Sequence, residues 1–214
     1  MRFLLFFIIG FSLLLTGCSN DNAEPAENFS EYNTQILSSN NSSNNNSISN
    51  SSETQHVSKP VEEPMAAFST KVSQKDPDRQ TNITIACNSL NGTIVKAGET
   101  FSFCNTLGPA KPEDGYKEAD TFDADGNTIQ AYGGGKCQVS STLYNAVLSV
   151  PSLTVVERHA HSGPVYYVED DKDACVSYGS CDFKFTNTND FDIKMYFSNT
   201  PDSVDVSIVK LNNA

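Results

Sequence analysis

From Met65 onward apolar and polar residues alternate in two rhythms, and the changes between them divide the chain into helical and extended segments. Asp76-Pro77 offers a cap followed by proline at a first helical position. Ile83, Ala86, Cys87 and Leu90 then recur at spacings of three and four, with Gly92 as a stop, which predicts a helix over 77–91. The competing reading is a strand, because Ile83 and Ile85 alternate with Thr84. Residues 93–95 and 100–103 read as short strands around the turn Lys96-Ala97-Gly98-Glu99. Residues 104–132, rich in Gly, Pro and Asp, read as a long loop. Val139, Leu143, Ala146 and Val147 line one face of a second helix, Gln138 to Ser149, which Pro151 stops. Beyond it the pattern is extended throughout, at 153–158, 164–168, 174–178, 181–187, 192–198 and 203–210. Val204, Val206 and Ile208 alternate strictly in the last of these. The predicted class is α+β: a mainly antiparallel sheet packed around a central helix that follows a Gly-rich loop, with one further helix near the domain start.

The beginning of the chain follows another pattern. Arg2 precedes an apolar run from Phe3 to Leu15. The run is shorter than the about 20 residues that span a bilayer and has the length of a signal-peptide core. Leu15-Thr16-Gly17-Cys18 then reads as a bacterial lipobox. Residues 1–17 are thus expected to be removed and Cys18 to carry the lipid, against the simpler reading of a plain secretory signal with a chance cysteine. The expected location is extracytoplasmic, on the outer face of the cytoplasmic membrane. Residues 18–64 are nearly free of apolar periodicity, and Ser38 to Ser52 is almost all Asn and Ser. Such a segment cannot bury enough surface to offset its chain entropy. It reads as a tether with a mean span of about 40 Å for roughly 45 residues. Residues 65–214 form one domain, with no internal repeat.

Charge narrows the choice of partners. The chain carries a formal net charge of −12 and no basic patch, which argues against nucleic acid and against electrostatic capture by anionic lipid or wall polymer. The membrane is expected as a partner only through the lipid on Cys18.

The densest chemistry is Gly133-Gly134-Gly135-Lys136-Cys137-Gln138-Val139-Ser140-Ser141-Thr142. Three glycines running into a helix allow close backbone approach. They leave Cys137 at or just before the helix N-terminus, where unpaired N–H groups and the dipole favour a thiolate. Gly133, Gly134, Gly135, Gln138 and Ser140 are candidates for holding substrate, and the amides after the glycines for holding an oxyanion. The competing readings are a phosphate loop, whose GxxxxGK[ST] spacing is missing, and a structural cysteine. A cysteine nucleophile needs a base. His159 and His161, in Glu157-Arg158-His159-Ala160-His161-Ser162, are the domain's two histidines. His161 is preferred because Ser162-Gly163-Pro164 places it in a loop. Arg158 is a candidate for binding a substrate carboxylate, or equally for pairing with Glu157 or the acidic run 169–173. After Cys18, five cysteines remain. Two bridges would leave Cys137 free, with Cys87–Cys104 and Cys175–Cys181 the local pairings, though connectivity is open. No CxxC and no Cys–His metal spacing is present, so neither a redox motif, nor zinc, nor a cofactor is expected. Asp170, Asp171 and Asp173 fail the EF-hand pattern and read as a solvated turn.

Together these segments resemble the VanW family. Gly98-Glu99-Thr100-Phe101-Ser102-Phe103, Gly115-Tyr116 and Gly133 to Ala146 look like its hallmarks, and Glu157 to Ser162 and Asp173-Ala174-Cys175-Val176 continue the likeness in order. Cys87, Cys104, Cys175 and Cys181 stand outside the pattern and fit disulfide additions. The family is named for an accessory component of glycopeptide-resistance clusters. Some members are associated with 3-3 cross-linking of peptidoglycan as L,D-transpeptidases with a cysteine in the glycine motif. The resemblance implies action on peptidoglycan stem peptides through Cys137. The alternative is a non-catalytic module that binds stem peptides, and a hydrolase using the same thioester is a further variant.

Overall fold

A computed structural model describes residues 61–212. The expected signal peptide, Cys18 and nearly all of the expected tether lie outside the described residues. Strand β1 (Val61–Lys71) comes first, starting inside the segment that the sequence assigns to the tether. It is followed by helix α1 (Pro77–Leu90) and the short strands β2 (Ile94–Val95) and β3 (Thr100–Ser102). Helix α2 (Phe103–Leu107), the hairpin β4 (Glu118–Phe122) and β5 (Thr128–Tyr132), and helix α3 (Lys136–Leu148) come next. The chain finishes with β6 (Leu153–Glu157), β7 (Lys184–Asn187), β8 (Ile193–Asn199) and β9 (Ser203–Asn212). The fold is α+β with antiparallel pairing in every sheet. One sheet has the order β1-β9-β8-β2, a second β3-β7-β6, and β4-β5 is a separate ribbon.

Alternation decides which way the strands face. Val204, Val206 and Ile208 of β9, with Ile193 and Met195 of β8, are buried on one face of the four-stranded sheet. Phe183 and Phe185 fill the space by the second sheet. Helix α3 buries Val139, Leu143, Ala146 and Val147 among these elements, and α1 buries Ile83, Ala86 and Leu90 beside it. Fully burying one such side chain contributes about 1.5–3 kcal/mol. In α1 the Asp76 carboxylate accepts the Arg79 N–H at 2.7 Å and Pro77 occupies the first turn, where an orphan donor is satisfied and a missing one does no harm.

Several expectations are corrected. Residues 104–132 are not one loop: they hold α2, a 3-10 turn at Pro112–Asp114 and the β4-β5 hairpin. The strands expected at 164–168 and 174–178 do not form, and 181–187 pairs only from Lys184, apart from an isolated bridge between Ser177 and Cys181. The residues between β6 and β7 satisfy backbone groups partly through isolated backbone bonds, such as Cys175 N–H to the His159 carbonyl, and partly through side chains, such as Ser141 Oγ for the Ala174 N–H, instead of a ladder. The second helix starts at Lys136, not Gln138. Among the described residues no helix is long and apolar enough to cross a membrane.

Candidate functional site

The glycine run works as a packed joint. Gly134 lies against the hairpin so closely that a Cβ would meet the Ala119 and Asp120 carbonyl oxygens at 2.7 Å. Gly135 caps α3 at φ 111°, a left-handed conformation that glycine tolerates, with Ile83 of α1 at 2.9 Å from a notional Cβ. Asn82 of α1 fastens the joint from below. It is fully buried, donates to the Lys117 and Gly134 carbonyls at 3.0 and 2.9 Å, and accepts from the Lys117 N–H at 2.8 Å. The run therefore positions α3. Gly133 and Gly135 also reach the wall of the cleft above it.

That cleft has a volume of about 890 Å³ and lies between the hairpin, the start of α3 and the loop between β6 and β7. Cys137, half-buried as the second residue of α3, faces it together with His161, Tyr167 and Cys175. One ring nitrogen of His161 and the sulfurs of Cys137 and Cys175 all lie within 4.8 Å of one another. His161 Nδ1 stands 2.5 Å from Asp173 Oδ2, and the same oxygen accepts the His161 backbone N–H at 2.7 Å. Phe122 meets the imidazole edge to face, with centroids 6.3 Å apart. With Nδ1 held by the carboxylate, Nε2 is the ring nitrogen that serves the sulfur. Cys137, His161 and Asp173 thus stand in line, a thiol beside an imidazole whose far nitrogen is held by a carboxylate, the order that thiol chemistry with a nucleophile, a base and an orienting acid requires.

The electrostatics agree. The Cys137 thiol is held well below its ordinary range: a hydrogen bond from the Cys175 thiol is the largest cause, followed by hydrogen bonding and charge from His161 and the Val176 N–H, all against the opposing cost of burial. That N–H points at Sγ from 3.4 Å. Burial works against the His161 imidazolium, yet Cys137 and then Asp173 outweigh it and raise His161 above its ordinary value. Cys175 is pushed up, because its proton bridges to the Cys137 sulfur and because it is buried.

The remaining candidates fall into place around this centre, several with changed roles. His159 also lines the cleft but pairs with Glu157 at 2.9 Å, and it is the His161 ring that meets the Cys137 sulfur. Arg158 does not face the cleft. Its Nε donates to the Asp173 carbonyl at 2.6 Å and its Nη2 to Asp173 Oδ1 at 2.5 Å, fixing the residue that orients His161. Ser140 is fully buried and donates to the Ala174 carbonyl at 2.5 Å, which ties α3 to the loop instead of to substrate. Gln138 is buried too. It accepts from Arg79 Nη2 at 3.2 Å and donates to Thr70 Oγ1 and the Lys71 carbonyl, joining α1, α3 and β1. Arg79 Nε is buried without a partner. The Lys136 and Gln138 amides are spent on the Gly133 and Gly135 carbonyls, which leaves them no part in an oxyanion hole.

The cysteine expectations also change. All five are free thiols. Cys87 lies in the core against the Ser198 carbonyl, and Cys104 against that of Cys181; burial pushes both thiols up to about 12. They do not pair with each other. Cys175 and Cys181 are neighbours, with sulfurs 3.3 Å apart. Asp173, Cys175 and Tyr167 carry parts of the site that the sequence did not assign. Asp173 lies in one segment of the family pattern, but nothing local singles that carboxylate out of its acidic run, and Cys175 reads from sequence only as a disulfide addition.

Fold and site define a class, a thiol-centred α+β domain whose candidate nucleophile opens a buried helix. The chain belongs to the VanW family: the family described as VanW like protein matches residues 78–209. It is 37% identical over 123 residues to the uncharacterized protein YoaR of Bacillus subtilis, covering 58% of this chain and 40% of that protein. It is 36% identical over 114 residues to the vancomycin B-type resistance protein VanW of Enterococcus faecalis, covering 51% and 41%. The chain thus spans about two fifths of the length of these relatives. No solved structure matches it.

Proposed function

We propose that the chain is a lipid-anchored surface protein that acts on peptidoglycan stem peptides by cysteine acyl transfer, forming 3-3 cross-links in the manner of an L,D-transpeptidase. The observation that carries this reading is that Cys137 and His161 meet in one cleft while Asp173 holds the imidazole. In the acylation step the Cys137 thiolate attacks the carbonyl of the third stem residue. In this reading the first-turn N–H of Cys137 itself donates to the developing oxyanion, with the positive end of the α3 dipole behind it. The tetrahedral adduct collapses to a thioester, and D-alanine leaves with a proton from His161 Nε2. A side-chain amine of a neighbouring stem then attacks the thioester. His161 takes its proton and the thiolate is restored. Asp173 keeps the imidazole in the orientation that both transfers need. Ile129, Tyr132 and Tyr166 expose apolar surface at the cleft, which suits the non-reacting parts of a peptide.

The link to glycopeptide resistance rests on the name of the enterococcal relative and belongs to the same proposal. The test is Cys137→Ala, with 3-3 muropeptides measured after exposure of purified wall to the protein. The variant should abolish new 3-3 cross-links while the protein stays folded. Cross-linking that persists in it refutes acyl transfer through Cys137. Absence of cross-linking and of a thioester with the unsubstituted protein, alongside retained binding of stem peptides, would establish the binding-module alternative.

A further inference from the structure

The cleft holds one sulfur more than acyl transfer uses. A nucleophile, a base and an orienting carboxylate complete that chemistry, yet Cys175 points its thiol at the same place as Cys137 and His161. We infer that Cys137, His161 and Cys175 form a binding site for a single thiophilic d¹⁰ cation, Zn²⁺ foremost, with a fourth coordination position open to the cleft.

The geometry fits the cation with small side-chain adjustments. Tetrahedral zinc holds sulfur at about 2.3 Å and imidazole nitrogen at about 2.0–2.1 Å, so its ligands stand about 3.4–3.8 Å from one another. The three donor atoms lie within 4.8 Å of each other before any ion arrives. Two sulfurs and an imidazole make a soft donor set without a carboxylate oxygen, which disfavours calcium and magnesium. The surrounding shell is also in place. Asp173 holds His161 Nδ1 and leaves Nε2 for the metal, the carboxylate–histidine arrangement that orients and strengthens a ligand. The Val176 N–H points at the Cys137 sulfur, and Arg158 fixes Asp173 in turn. Cys181 is excluded from the set. It touches Cys175 at 3.3 Å but does not converge with the other two donors. Three protein ligands and one open position describe a site that binds a cation without closing around it.

Two protons leave per cation bound, one from the Cys137–His161 pair and one from the Cys175 thiol. No oxidant or reductant is required. The cation occupies the Cys137 sulfur, so a loaded site is a silenced nucleophile. The inference holds whether or not that sulfur performs acyl transfer, since it concerns only the three donors.

The experiment uses the full chain, reduced with a phosphine and stripped of metal, titrated with Co²⁺ and then with Zn²⁺. One cobalt per chain should bring up a sulfur-to-cobalt charge-transfer band and the visible bands of a tetrahedral ion, and zinc should abolish both. Cys175→Ser should lose about half of the charge-transfer intensity, because one of two thiolates is gone. Asp173→Asn should weaken zinc about 10- to 100-fold. Cys181→Ser should bind as the parent does. In the unsubstituted chain, zinc should protect Cys137 and Cys175 from alkylation, mapped by peptide mass, which needs no variant to fold. Absence of the charge-transfer band, full intensity in Cys175→Ser, or undiminished alkylation under zinc would each overturn the inference.

Discussion

Asp173→Asn isolates the part of the site that governs the charge on Cys137. The exchange preserves shape, yet Asp173 serves four bonds at once. Its Oδ2 accepts the His161 N–H and Nδ1, its Oδ1 accepts Arg158 Nη2, and its own carbonyl accepts Arg158 Nε. Asparagine keeps one acceptor oxygen and turns an NH₂ toward a donor. What is lost is a charge-assisted hydrogen bond to the imidazolium in a largely buried place, about 1.5–3 kcal/mol. At about 1.4 kcal/mol per tenfold, the thiolate–imidazolium form loses about ten- to a hundredfold in population. The sign follows from the direction of each shift. Cys137 stands below its ordinary value and His161 above its own, so in the parent protein the thiolate persists as pH falls well past the range of a free thiol. In Asp173→Asn it disappears at higher pH. The assay is the rate of Cys137 alkylation by iodoacetamide across pH, read by intact mass. The variant should react about ten- to a hundredfold more slowly near neutrality and converge with the parent in alkali, where sulfur ionises unaided. Superimposable profiles would show that the carboxylate does not act through His161.

Two further substitutions test the joint that presents Cys137. Asn82→Ala removes three hydrogen bonds and leaves the Lys117 N–H and the Gly134 carbonyl unsatisfied, at about 1–3 kcal/mol for each group, while the Lys117 carbonyl keeps the Gly133 N–H. A loss of about 3 kcal/mol or more should lower the melting temperature by about 6–12 °C in a domain of this size, and a shift below about 2 °C refutes the role. Gly134→Ala drives a methyl into backbone carbonyls at 2.7 Å, at about 1–3 kcal/mol; because the strain falls between the hairpin and α3, alkylation of Cys137 should change together with stability, and parent-like values of both would refute the close packing.

The sequence made some of this legible and hid the rest for physical reasons. The α3 stripe and the Val204, Val206, Ile208 alternation announced their elements, because each buries one face. β1 escaped notice. Its inward positions include Ala66 and Thr70, small or polar, and Pro64 interrupts the pairing at a bulge that an edge strand tolerates. The β4-β5 hairpin hides for a related cause: Glu118, Asp120 and Gln130 crowd one face, the other holds only Ala119, Thr121, Ile129 and Ala131, and the ribbon belongs to no larger sheet. Tyr166 and Val168 look like strand residues, but their segment wraps the cleft. In the site, Cys137 and His161 were legible as chemistry, since a thiol at a helix start beside glycines and a histidine in a loop have local signatures. Asp173 was not, because it sits in a run of acids and only the fold chooses one of them to meet the imidazole. Gln138 and Ser140 read as substrate contacts because polarity near a nucleophile carries no sign of burial, and both brace the scaffold. Arg158 reads equally as a substrate contact or as a partner of the acidic run 169–173, and the second holds through Asp173.

The pairing of β1 with β9 has a mechanical consequence. β1 runs from Val61, which pairs with Asn212, to Lys71, whose carbonyl accepts Gln138 directly behind the nucleophile. Suppose the cleft is held by a covalent adduct on Cys137 while the chain is drawn from the Val61 side. The pull then runs along β1, parallel to its neighbour, and loads the rungs of the ladder in shear, all together. A pull across the strands would open them one by one like a zipper. Under such a load the β1-β9 ladder resists as one unit, so this pairing would let the domain bear tension drawn along its first strand.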